Sequence, residues 1–208
     1  MDEDWNLRVK RGLGPLRFGM TSESCEPLAG PYGNVTSDRP IVQTDMEDMY
    51  RHWVETLGED EARKAMEIIA AANLDMRPRH LQLLETGVHM TFLDGVLEDI
   101  MVEERAKKLH VDGREFFGAG FADALRYLQD LNSELPFVDD VDCYFRVIEV
   151  TAFGFIRFAE TSREILFDGS PRGSEAAGFS VGWRDTPRNL EEDFSGRRQF
   201  DLRLLSTA

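Results

Sequence analysis

An α+β fold, with two antiparallel sheets and flanking helices, is predicted by three features of this sequence. Residues 44–73 keep a helical period, residues 81–103 switch to strand alternation, and a second β-rich run follows one further helix.

The first segment with a clear signal is "GLGPLRFGMTSESCEPLAG", Gly12 to Gly30. Leu16, Arg17 and Phe18 read as the end of a strand, Gly19 as a turn, and Thr21 or Ser22 as the N-cap of a short helix. From Thr44, the Thr44/Glu47 spacing matches a capping box, and Met46, Met49, Tyr50, Trp53, Val54 and Leu57 recur at helical intervals. Gly58 reads as a stop. A second helix places Ala62, Ala65, Met66, Ile69 and Ala70 on one side, with Glu59, Asp60 and Glu61 in the first turn, where the helix dipole favours anions. The two are expected as a helical hairpin or one kinked helix, with the Met, Tyr and Trp stripe turned to a core.

Three strands are predicted next, Leu81 to Thr86, Val88 to Leu93 and Val96 to Glu103, with Asp94-Gly95 as a two-residue hairpin turn. Phe121, Ala122, Leu125, Leu128 and Leu131 restore the helical period. The runs "DCYFRVIEVTAFGFIRFA", "REILFDG" and "GFSVGW" then read as strands, the last two separated by a loop at Ser170 to Ala177. The second half echoes the order of the first. Residues 1–105, with a helical insertion, and 106–208 are therefore read either as two related α+β units or as parts of one continuous domain.

With 208 residues and 42% hydrophobic content the chain can build a substantial core. Its 39 acidic and 24 basic residues give a formal charge of −15. Such a field repels phosphate backbones and anionic membrane surfaces and attracts basic proteins. The start, "MDEDWNLRVKRG", lacks the charged and apolar regions of a secretory leader, and no segment reaches the length of an apolar membrane span, so a cytoplasmic location is expected. Cys25 and Cys143 are expected as buried free thiols rather than a disulfide.

No residue pattern declares a reaction. Neither cysteine has a base beside it in sequence, there is no G-x-S-x-G, and His52, His80, His89 and His110 include no i, i+4 metal pair. "GLGPLRFG" lacks the Lys-Ser/Thr ending of a phosphate loop. Asp139, Asp140 and Asp142 are read as a solvated turn rather than a cation site, and Glu98, Asp99, Glu103 and Glu104 as the wet side of an amphipathic strand. No catalytic, cofactor or metal residues are assigned.

"GLGPLRFGMT", the short helix ending in "LAG" and the later "GVHMTFLDGVLEDIMV" together resemble a pattern of small bacterial proteins. It is similar to that of β-lactamase-inhibitor-like and outer-membrane assembly lipoprotein-like α+β folds, and of immunity proteins of polymorphic toxin systems. The insertion at 44–73 departs from the compact form of those folds. The resemblance implies a non-catalytic binder, an immunity protein that occludes a basic toxin domain. An acidic chaperone or adaptor for a secreted effector is the alternative. Partner contacts are expected at the acidic clusters Glu98, Glu103, Glu104 and Asp139, Asp140, Asp142, placed on sheet edges or rims; their bland role is to keep an acidic protein soluble.

Overall fold

Strands β1 (Asn6–Arg8) and β2 (Gly12–Leu13) form a short antiparallel hairpin, Leu7 opposite Leu13 and Arg8 opposite Gly12. The computed structural model describes residues 2–41, 46–71, 79–118, 121–138, 142–154, 156–159, 164–167, 180–185 and 198–204. Gly12 and Gly14 sit at φ +136° and +54°. A Cβ on the first would collide with the Leu16 carbonyl, and one on the second with the Asp4 carbonyl. Tyr32 closes over this loop: its hydroxyl donates to the Asp4 carbonyl at 2.6 Å and lies 3.0 Å from that of Leu13. Its ring meets Trp5 edge-on, centroids 5.1 Å apart. The strand thus lies at Gly12–Leu13, not at Leu16 to Phe18. Arg17 turns its guanidinium back onto the Gly14 and Leu16 carbonyls and curls that segment. Of the two candidate caps it is Thr21 whose hydroxyl accepts the Ser24 amide, starting α1 (Ser22–Cys25).

Strand β3 (Val35–Ile41) is followed by α2 (Met46–Leu57) and α3 (Glu59–Ala71), separated by Gly58 at φ +87°. Thr44 of the capping box lies outside the described residues. β4 (Arg79–Leu84) then returns antiparallel to β3, with Ile41 opposite Arg79, so the helical pair is inserted where a β-turn would otherwise close the hairpin. The helices pack on each other, Ala62 is buried, and Tyr50, Trp53 and Val54 are half-buried. Tyr50, Trp53 and Val54 of the expected core-facing stripe stay outside the main core, and Leu57 is exposed.

Strands β5 (Val88–Leu93) and β6 (Val96–Glu103) complete the meander. Asp94 and Gly95, at φ +51° and +81°, make the expected tight turn. β7 (His110–Val111) and β8 (Arg114–Glu115) form a second small hairpin. After α4 (Phe121–Asn132) come β9 (Phe137–Val138), β10 (Asp142–Phe145), β11 (Val150–Phe153), β12 (Ile156–Ala159), β13 (Glu164–Phe167), β14 (Ser180–Arg184) and β15 (Arg198–Gln199). The expected loop at 170–177 lies outside the described residues.

The fold is α+β, as the sequence predicts, and strands from both halves of the chain share both main sheets. A nine-stranded antiparallel sheet runs β15-β9-β10-β11-β14-β6-β5-β4-β3, and a four-stranded sheet runs β2-β1-β7-β8 with β1 and β7 parallel. β12 and β13 pair with each other. On the large sheet β14 meets β6 over five residue pairs, Ser180 opposite Glu103 through Arg184 opposite Asp99. The first half's "FGMT" segment covers the rest of β6: Gly19 N–H donates to the Leu97 carbonyl, and Leu97 N–H to that of Met20, both at 2.8 Å.

One face of the large sheet is dry. Val88, Val102, Val181, Ala152, Cys143 and Val138 form one cross-strand row, and Met90, Ile100, Trp183, Val150 and Phe145 the next, all buried. Ala124, Leu125 and Leu128 of α4 pack with them, as do Leu7, Leu13 and Val111 of the small sheet. Two amides on α4 tie down neighbouring chain. Asn132 Oδ1 accepts from Val147 and Ile148 N–H at 2.8 and 3.3 Å, and its Nδ2 donates to the Glu134 carbonyl. Gln129 accepts from Leu202 N–H and donates to Asp201, both at 2.7 Å. Among the described residues no helix is long and apolar enough to cross a membrane.

Two stability outcomes follow. Asn132→Ala orphans three backbone groups beside a buried turn and should cost about 2–3 kcal/mol in urea denaturation. Asp201 is held below the usual carboxylate range by hydrogen bonds from Gln129 and the Arg203 amide. A carboxylate lowered on folding stabilises above its unfolded pKa and ceases to as pH falls through its folded one. The destabilisation by Asp201→Ala, measured by denaturation across pH, should therefore be full at neutral pH and shrink below about pH 4.

Candidate binding surface

The opposite face of the large sheet has a different character. Alternation along the strands puts Leu83, His89, Met101, Gly182, Thr151, Tyr144 and Phe137 in one row across seven strands. Leu83, His89, Met101 and Phe137 are half-buried, whereas Gly182, Thr151 and Tyr144 are buried. Leu81, Thr91, Asp99 and Arg184 form a parallel row on one side of it. Glu103, Ser180, Phe153 and Asp142 form another on the other side. Gly182 leaves the middle low, and a Cβ there would stand 3.4 Å from the Phe153 ring. The row carries aromatic, thioether and aliphatic side chains, buried at its middle, with carboxylates in the rows beside it.

The sequence places Glu98, Glu103 and Glu104 on an edge or rim, and here the structure corrects it. β6 is interior, with β5 on one side and β14 and the Gly19–Thr21 segment on the other. Nor are these carboxylates free. Glu98 lies 3.5 Å from Arg79, with only 11% of its side chain exposed. Asp99 pairs with Arg184 at 3.3 Å, and Glu104 with Lys107 at 2.6 Å. Glu103 binds both His89, at 2.7 Å, and Arg105, at 2.6 Å. Asp142 opens β10, half-buried, in the same cross-strand row as Glu103 and three strands away, roughly 14 Å at ordinary strand spacing. Asp139 and Asp140 lie outside the described residues. Glu103 and Asp142, one from each predicted cluster, thus lie on one face and at one end of one sheet.

Sequence reasoning missed Met101, Tyr144 and Phe137 as residues of this face, although the alternation in "VHMTFL" already sets His89 and Thr91 opposite Val88, Met90 and Phe92. What it lacked was the partner strand. Buried Tyr144 donates its phenol hydroxyl at 2.6 Å to the carboxylate of Glu149, itself buried at a left-handed turn position.

Among the described residues, three of the four histidines hold hydrogen bonds and both thiols are buried. His80 is bonded to Asp38, whose carboxyl that contact holds below its usual range; both are exposed on the margin strands β3 and β4. His110 Nδ1 lies 2.7 Å from the Lys108 carbonyl, and His52 is exposed on α2. Burial pushes the Cys25 thiol up to about 11 and the Cys143 thiol higher, so neither forms a thiolate at neutral pH. Both are free. Among the described residues no three His, Cys, Asp or Glu stand together to hold a metal ion. A hollow of about 490 Å³ opens between Trp5, Pro31, Thr86 and the Arg105–Lys108 segment. Its charges are matched locally, Arg105 and Lys107 to Glu103 and Glu104, and Glu85 to Asn34.

Compared with known proteins, the chain matches no family model, no curated protein and no solved structure.

With both thiols buried and protonated, the native protein should leave a disulfide reagent such as DTNB unreacted over minutes at pH 8. It should release two equivalents once unfolded in guanidinium. A fast equivalent in the native state would show a thiol that the fold exposes.

Proposed function

We propose that the protein is a non-catalytic binder, an immunity protein that neutralises a cognate toxin by covering a basic surface of it. The observation that carries this reading is the two-faced sheet. One face is closed by the core, and the other sets half-buried Leu83, Met101 and Phe137 beside Glu103 and Asp142. Protein interfaces combine aromatic and Met area at the centre with a polar rim in this way. The formal charge of −15 supplies long-range attraction toward a basic partner and raises the rate of encounter. The resemblance of "GLGPLRFGMT" and "GVHMTFLDGVLEDIMV" to immunity proteins points the same way.

The partner is best sought by pull-down from the native host and mass spectrometry, with a folded toxin in stoichiometric complex as the expected result. A complex with an unfolded, pre-export segment would instead indicate a chaperone. With the partner in hand, Met101→Ala should mainly raise the dissociation rate, since it removes apolar area without changing charge. Reversing Glu98, Glu103 and Glu104 to lysine should lower the association rate about tenfold at low salt, with the difference closing as salt is added. The comparison is reversal of Glu59, Asp60 and Glu61 on α3, which changes net charge equally elsewhere. Equal losses from both triples would leave only a whole-molecule field and remove the sheet face from the interface.

A further inference from the structure

The acid excess is unevenly placed. Residues 5–22 carry Arg8, Lys10, Arg11 and Arg17 and no acidic residue, and residues 105–118 carry Arg105, Lys107, Lys108 and Arg114 against Asp112 and Glu115. These two segments hold eight of the 24 basic residues and two of the 39 acidic ones, a formal +6. The rest of the chain, with 16 basic and 37 acidic residues, is left at −21.

The fold sets the two segments side by side in the four-stranded sheet. Because β1 and β7 run parallel, the β1–β2 turn at 9–11 and the β7–β8 turn at 112–113 leave the sheet at the same end. They are locked together there, Asp112 N–H donating to the Leu7 carbonyl and Gly113 N–H to Asn6 Oδ1, both at 2.9 Å. Lys10 and Arg11 are exposed at this end and hold no ion pair among the described residues. Arg114 lies with its guanidinium 4.8 Å from the centre of the Tyr127 ring, a contact that uses no carboxylate. Arg8 reaches Glu3 at 3.0 Å with 44% of its side chain exposed. Asp112 is the acidic residue within the turns, and it is exposed. Lys108 stands at the other end of β7, 4.0 Å from Asp2.

We propose that this end of the small sheet is a second interaction surface, which takes a short acidic segment of a protein partner. Arg8, Arg11 and Arg114 present planar guanidinium groups suited to carboxylates, and Lys10 adds an uncommitted charge. Length selects the ligand. A long polyanion leaving this end would run within a Debye length, about 8 Å at physiological ionic strength, of the strongly negative remainder, whereas a short acidic peptide ends before it. The surface lies on a different sheet from the face assigned to the toxin, so it does not rest on that reading.

Fluorescence anisotropy with the full chain tests it, using a labelled ten-residue Glu/Asp peptide and an oligothymidylate of equal formal charge as probes. The parent protein should bind the peptide at low salt and more weakly at high salt. Lys10→Glu with Arg11→Glu should weaken binding by about tenfold or more, and the milder Lys10→Asn with Arg11→Gln should weaken it less. Arg63→Glu with Lys64→Glu, an equal change of net charge on exposed α3, should leave binding within about twofold. Circular dichroism confirms that each variant is folded. Failure of the parent to bind the peptide, equal losses in the turn and α3 variants, or tighter binding of the oligothymidylate than of the peptide would each overturn the proposal.

Discussion

The pairing of β14 with β6 is the constraint on which the rest of this structure depends. Five residue pairs join a strand from the end of the chain to the last strand of the meander, and with them Trp183 comes to lie opposite Ile100 in the dry face. The Trp183 indole N–H is buried without an acceptor among the described residues, a cost of about 1–3 kcal/mol. Complete burial of so large a ring outweighs it, since truncating a core Trp typically loses about 3–5 kcal/mol. The same pairing removes the meander's free edge, which would otherwise offer a row of unpaired amides and carbonyls to any passing strand.

The sheet that results has two faces with different physical roles. On the inner one, β-branched and aromatic residues meet α4 and the small sheet without ionic groups in the two central rows. On the outer one, carboxylates alternate with Met, Leu and aromatic side chains, and cations from three other places in the chain answer them: Arg79 on β4, Arg184 on β14, and Arg105 and Lys107 after β6. The pairs made by Arg105 and Lys107, whose side chains are more than half exposed, contribute little to stability, typically about 0–1 kcal/mol each. Their larger effect is to hold the long side chains in place and to cancel local charge.

The small sheet fastens the halves a second time, through the parallel pairing of β1 with β7. With both sheets shared, strands of both halves line one core, and many contacts join residues far apart in sequence. Such a topology requires loop closure before its contacts form, which slows folding relative to local helical structures. Against that frame the α2–α3 hairpin stands apart. Its Tyr50, Trp53, Val54 and Ala62 stay outside the main core, and the β3–β4 register runs unbroken from Ile41 opposite Arg79 to Ser37 opposite Leu83.

By itself the sequence determined the local elements. The Met46–Leu57 and Glu59–Ala71 helices, the Asp94-Gly95 turn, the Val88–Leu93 and Val96–Glu103 strands and the burial of both cysteines were legible, because periodicity, turn chemistry and hydrophobicity act over a few residues. The "GLG" run was legible as a turn but not as a close packing of backbone against Asp4, Leu16 and Tyr32, which come from three separate segments. Only the tertiary structure decided that β6 is interior, that Glu103 shares a row with Asp142, and that Tyr50, Trp53 and Val54 stay out of the core. It also decided that the basic segments at 8–11 and 105–114 lie in one sheet. Strand order and register are fixed by which distant surfaces bury most area together, and that sum runs over residues a hundred positions apart.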